Sequence, residues 1–143
     1  MSTIYHDDDA DPGALSGQTI AVVGYGNQGR SQALNLRDSG HDVVIGNLRD
    51  AYHAQARADG FDVLPIEDAC VRAQVVMLLV PDEVMPEVYA ERVAPGLRAG
   101  DLVCFASGYN VAFGRIDPAQ GLDVVLVAPR MIGIGAIPPR KLS

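Results

Sequence analysis

The 143-residue chain is 48% hydrophobic and 20% charged, with a net charge of −7, a pI near 4.7 and two cysteines. That length suits one domain, which buries about two thirds of its unfolded surface and needs no metal or disulfide to fold. The acidic balance argues against a nucleic-acid partner, because the eleven Lys and Arg are scattered and only Arg140 and Lys141 adjoin.

Residues 1–17 read as a leader, with Ile4 and Tyr5 as its anchors and Asp7, Asp8, Asp9 and Asp11 as a solvated acidic run. The start lacks the basic and apolar regions of a signal peptide, and no run approaches the ~20 apolar residues of a membrane span. The expected partners therefore exclude a membrane, and the expected location is cytoplasmic. Residues 18–130 form the expected folded domain, and residues 131–143 read as an unanchored tail.

The first strand is TIAVV, whose Ile20, Val22 and Val23 favour an extended backbone in the middle of a parallel sheet. It empties into Gly24, Tyr25, Gly26, Asn27, Gln28 and Gly29. From residue 28 to 39 the period becomes helical, with Ala33, Leu34 and Leu36 as an apolar stripe and Gly40 as a stop. In a strand, turn, helix of this kind the first glycine permits the bend and the second lets a pyrophosphate approach the backbone. The third brings helix and strand close, while free amides and the helix dipole hold the anion. A second strand, HDVVIG, begins about a dozen residues later, the context a dinucleotide fingerprint requires.

Asn47 stands at the end of that strand, where many NAD sites place an acid. Arg49 suits a 2′-phosphate and Asp50 suits free ribose hydroxyls, so the two point in opposite directions. The reading leans to NADP, with NAD as the alternative. Both residues also suit a purely local role in starting the helix over 50–59, which Gly60 ends. A short strand over 61–64 and a helix from Pro65 to Ala73 follow. QVVMLLV, residues 74–80, is the most apolar run and reads as a central strand.

Asp82, Glu83, Val84 and Met85 follow it and are placed to face the glycine turn across the crevice, or to open the next helix with acids at its positive end. That helix runs to about residue 93. Strands over 101–106 and 123–128 complete six, with a short connection after Ser107, Gly108, Tyr109 and Asn110. Cys70 in a helix and Cys104 in a strand read as buried reduced thiols. The fold class is α/β, a Rossmann-like doubly wound parallel sheet of about six strands with helices on both faces.

Several segments resemble the amino-terminal domain of ketol-acid reductoisomerase, the NADPH enzyme of branched-chain amino acid synthesis. They are IAVVGYGNQG, ALNLRDSG, ADGFDVLPIEDA, VVMLLVPDEVMPEVY and DVVLVAP, in the family's order and at similar spacing. The resemblance implies that Tyr25, Gly26, Asn27 and Gln28 cradle the pyrophosphate and that Arg49 reads the 2′-phosphate. It places Asp82, Glu83, Val84 and Met85 along the nicotinamide half, and matches Gly133 to the last glycine of the family's APKGPG segment. Departures accompany it. Ser107 stands at the position of the histidine in the family's AHGFN, as the one candidate catalytic residue, and Arg130 replaces a lysine. A serine hydroxyl cannot titrate near neutrality, so proton management would change.

The family's helical second domain, which supplies carboxylates for magnesium, has no expected counterpart before Ser143. Magnesium is thus expected only if a partner supplies that domain, and this chain is expected to hold no metal itself. The implied function is the NAD(P)H-binding part of an enzyme that isomerises and reduces 2-acetohydroxy acids, incomplete alone. The alternatives are a reductase for another keto or imine substrate, or a non-catalytic nucleotide-sensing module. Expected partners are the dinucleotide, a small keto acid, and a second copy or a helical-domain subunit.

Overall fold

The computed structural model describes residues 2–129. Its core is a six-stranded sheet of β1 (Thr19–Val23), β2 (Asp42–Gly46), β3 (Asp62–Leu64), β4 (Val75–Leu78), β5 (Leu102–Phe105) and β6 (Asp123–Leu126). The spatial order is β3-β2-β1-β4-β5-β6 and every pairing is parallel. The chain builds leftward from β1 to β3, returns to set β4 against the other side of β1, and builds rightward. The reversal between β1 and β4 opens a crevice beyond the carboxyl ends of these strands.

Alternation along the strands supplies two faces. Val22, Ile45 and Val63 turn toward α1 (Asn27–Asp38) and α2 (Ala51–Ala58), meeting Ala33 and Ala56. Ala21, Val44, Val76 and Val103 turn the other way, toward α3 (Ile66–Arg72) and α4 (Met85–Val88). Burying a side chain such as Ile45 completely stabilises the fold by about 1.5–3 kcal/mol, so these two layers carry most of the driving force. The chain continues from α4 through a widened π-helical turn, Tyr89–Val93, and a 3₁₀ turn, Ala94–Gly96. Pro95 has no N–H to bond back to Glu91, so an α-helical bond cannot resume at that position.

Both cysteines lie in the interior as expected, and burial pushes the Cys70 thiol up to about 12. Two expectations need correction. Ile4 and Tyr5 do not anchor the leader: they are 76% and 78% exposed, because both core layers close without them. The stretch after Ser107 is no mere connection, since Tyr109–Ala112 forms a short helix, α5. The strand at one end of the sheet, β6, is exposed along its whole length. Gly133, Arg130 and the expected tail lie outside the described residues.

Candidate dinucleotide site

The turn after β1 is set by backbone needs. Gly24 sits at φ +94°, and a Cβ there would stand 2.8 Å from the Leu79 carbonyl oxygen. A Cβ on Gly29 would fall against the Gly24 carbonyl oxygen, so α1 seats on the turn only with glycine at that place. Gly26 differs: a Cβ there would meet nothing within 4 Å. The first glycine of the fingerprint bends, the third packs, and the second borders open space.

Gly26 caps α1 with no side-chain hydrogen bond. The Gly24 amide is committed to the Gly46 carbonyl at 3.0 Å, but those of Tyr25, Gly26 and Asn27 have no partner among the described residues. Unpaired amides at the start of a twelve-residue helix form an anion cradle. Open space over Gly26 and unspent amides together fit a pyrophosphate. The Tyr25 side chain takes no part in that cradle. Its ring is buried edge-on against Phe61, with centroids 5.8 Å apart, and its hydroxyl donates to Asp59 at 2.8 Å. Burial first, and the Asp59 carboxylate second, push the phenol's pKa upward.

Asp59 is the knot beneath the turn. It accepts from Arg30 Nε at 2.8 Å and from Gln55 at 3.1 Å, while its carbonyl accepts from Arg37. The Arg30 guanidinium holds its carboxyl at about 2, well below the usual range, with the Tyr25 and Gln55 hydrogen bonds adding to the effect against desolvation.

At the end of β2 a cavity of about 620 Å³ opens, bordered by Asn47, Arg49, Asp50, His53, Arg57 and Pro65. Asp50 caps α2: its Oδ1 accepts from the His53 amide at 3.0 Å and from Asn47 Nδ2 at 2.9 Å. Its other oxygen, Oδ2, has no partner among the described residues, and neither has the Arg49 side chain. His53 Nδ1 is a buried polar atom without a hydrogen-bond partner, as expected of a wall that a polar ligand completes. Sequence reasoning missed His53 and Arg57. Their i, i+4 spacing on the helix that follows Asp50 was the available signal.

On the far side of the crevice, Ser107 Oγ donates to Asp82 Oδ2 at 3.1 Å, and Asn110 Nδ2 donates to the Asp82 carbonyl at 3.0 Å. Glu83 and Val84 are exposed, whereas Met85 is 2% exposed and packs into the core beneath them. The structure thus brings Ser107 and Asp82 together, whereas Met85, expected along the nicotinamide half, is turned into the core instead. Among the described residues no group of three or more His, Cys, Asp or Glu is arranged to hold a metal ion, and no helix is long and apolar enough to cross a membrane.

A doubly wound parallel sheet with a glycine turn at its switch point defines a dinucleotide-binding Rossmann domain. Residues 14–137 match the family described as acetohydroxy acid isomeroreductase, NADPH-binding domain, and the chain belongs to that family. It is similar to a Pyrobaculum calidifontis protein named ketol-acid reductoisomerase (NADP(+)), 52% identical over 131 residues, which cover 91% of this chain and 40% of that protein. A Saccharolobus solfataricus relative is 49% identical over 135 residues, covering 93% of this chain and 41% of its own. Among solved structures, an NADH-preferring ketol-acid reductoisomerase from an uncultured archaeon superposes with a TM-score of 0.91. It is 44% identical, covering 94% of this chain and 42% of that one. The chain therefore spans about two fifths of the length of these relatives.

Proposed function

We propose that this chain is the hydride-donor half of a ketol-acid reductoisomerase, binding a reduced nicotinamide dinucleotide for the reduction that follows rearrangement of a 2-acetohydroxy acid. The observation that carries this reading is the cradle at the start of α1: amides of Tyr25, Gly26 and Asn27 without partners among the described residues, beside a Gly26 that borders open space. Bound there, the dinucleotide supplies a hydride. The chain's own residues hold its phosphates, brace its adenosine end at Arg49 and Asp50, and present Asp82 and Ser107 at the other end. Rearrangement calls for divalent metal to polarise a carbonyl, and in this reading the groups that hold it come from outside this chain, which spans about two fifths of its relatives' length.

A specific observation bears on the cofactor. The family description names NADPH, in line with the lean toward NADP that Arg49 suggests. Asp50 presents an unpartnered carboxylate oxygen at the same cavity, which repels a 2′-phosphate and accepts from free ribose hydroxyls. The 44%-identical neighbour is NADH-preferring. The geometry around Asp50 favours NADH here. Fluorescence titration of the purified chain with NADH and NADPH tests both levels. Binding of NADH tighter than NADPH, with the order reversed in Asp50→Ser, is the expected result. Absence of binding by either at about 1 mM overturns the dinucleotide reading itself.

A further inference from the structure

The loops after β4 and β5 are joined by side chains twenty-five and twenty-eight residues apart in sequence. Asn110, completely buried on α5, holds the Asp82 carbonyl, and its own carbonyl takes the amides of Arg115 and Ile116 at 2.8 and 3.0 Å. The Asp82 backbone is thereby fixed from below. From that position its carboxylate accepts the Ser107 hydroxyl at 3.1 Å, and the Tyr109 amide reaches Ser107 Oγ only distantly, at 3.4 Å.

A serine hydroxyl has one proton to donate and two lone pairs to accept with, while a carboxylate can only accept. In this pairing the serine proton is committed to Asp82. What half-buried Ser107 still offers is a lone pair, an acceptor with no capacity left to donate. The neighbourhood also selects against anions, since Asp82 and Glu83 adjoin. A group bound here must bring its own N–H or O–H and no negative charge.

Position narrows the class. The Arg49 and Asp50 cavity lies at the end of β2, and Ser107 lies past the end of β5. Three strand spacings separate them, about 14 Å, with the phosphate cradle at the end of β1 between. A dinucleotide laid across the switch point with its adenosine at β2 brings its nicotinamide end over β4 and β5.

We propose that Asp82 is a positioning residue that makes Ser107 an acceptor only, and that Ser107 Oγ receives the carboxamide N–H of the nicotinamide. This rests on the dinucleotide reading above and deepens it. Ser107 thus serves cofactor orientation from just past the carboxyl end of β5.

The test compares NAD⁺ with 3-acetylpyridine adenine dinucleotide, in which a methyl ketone replaces the carboxamide and removes the N–H. Calorimetric titration of the wild-type chain, Ser107→Ala and Asp82→Ala is run beside ADP-ribose, which lacks the ring altogether. Wild type should favour NAD⁺ over the ketone by about fivefold, the worth of one ordinary hydrogen bond. Ser107→Ala should bind the two alike, and Asp82→Ala, whose serine is free to turn its proton toward the ketone, should show less than twofold preference. ADP-ribose affinity should not change across the three proteins. Equal affinities in wild type, or a preference that survives Ser107→Ala, overturn the proposal while leaving the dinucleotide reading standing. Failure of ADP-ribose and NAD⁺ alike to bind overturns both. Should Asp82→Ala melt early by circular dichroism, the Ser107→Ala comparison decides the matter.

Discussion

Gly26 and Gly29 are three residues apart and answer to different demands. A methyl group on Gly26 would touch no protein atom, so Gly26→Ala should fold with an unchanged melting temperature and yet lose dinucleotide affinity at least tenfold in a fluorescence titration. A methyl group on Gly29 would overlap the Gly24 carbonyl, so Gly29→Ala should lower the melting temperature as well. Binding that survives Gly26→Ala would place the phosphates elsewhere. The glycine pattern itself was legible in the sequence, because a tight turn and a close approach leave few other residues possible. The division of labour among its side chains was not. Tyr25 sits between two of those glycines, but its ring packs on Phe61 and its hydroxyl binds Asp59, thirty-four residues on. No local spacing announces a partner that distant.

Among the elements, α1 and α2 are locked together at Asp59, the residue that closes α2 and collects Tyr25, Arg30 and Gln55. Its carboxyl titrates at about 2 in the folded chain against an ordinary 3.8, so the folded state favours the ionised form. The stabilisation is present in full above about pH 4–5 and drains away as pH falls toward 2. Asp59→Asn should lower stability at pH 7 by ~1–2 kcal/mol in urea unfolding and flatten the dependence of stability on pH between 4 and 2. An unchanged acid profile would show that Arg30, 48% exposed, contributes only a screened surface contact.

Strand and helix order was readable because short continuous apolar runs and stretches of helical period alternate from Thr19 to Phe105. The widened turn at Tyr89–Val93 and the short helix α5 were not. Both are too brief to establish a period, and α5 is tied down by one tertiary bond from Asn110 to the Asp82 carbonyl, made by a residue that composition gives no reason to bury.

On the scale of the whole molecule, the return of the chain from β3 to β4 is what places the Arg49 cavity and the Ser107 clasp on opposite sides of one phosphate cradle. The alternation of strands and helices was legible in the sequence, and right-handed crossovers narrow it to a few doubly wound orders without selecting this one. What the sequence could not give was how well the last strand is covered. Val124, Val125, Leu126 and Val127 are 45%, 38%, 57% and 58% exposed, and β6 bonds only β5 among the described residues. Along that flank runs a row of amides and carbonyls, dressed in aliphatic side chains, on which any extended peptide can be templated. Concentrated solutions of the isolated chain should therefore become turbid by strand addition rather than by unfolding. Leu126→Lys should raise the concentration at which light scattering begins while leaving the melting temperature within about 2 °C. For handling this protein, the limiting property is then the finish of one sheet edge, and a single charge placed there should accomplish more than any improvement to an interior already filled.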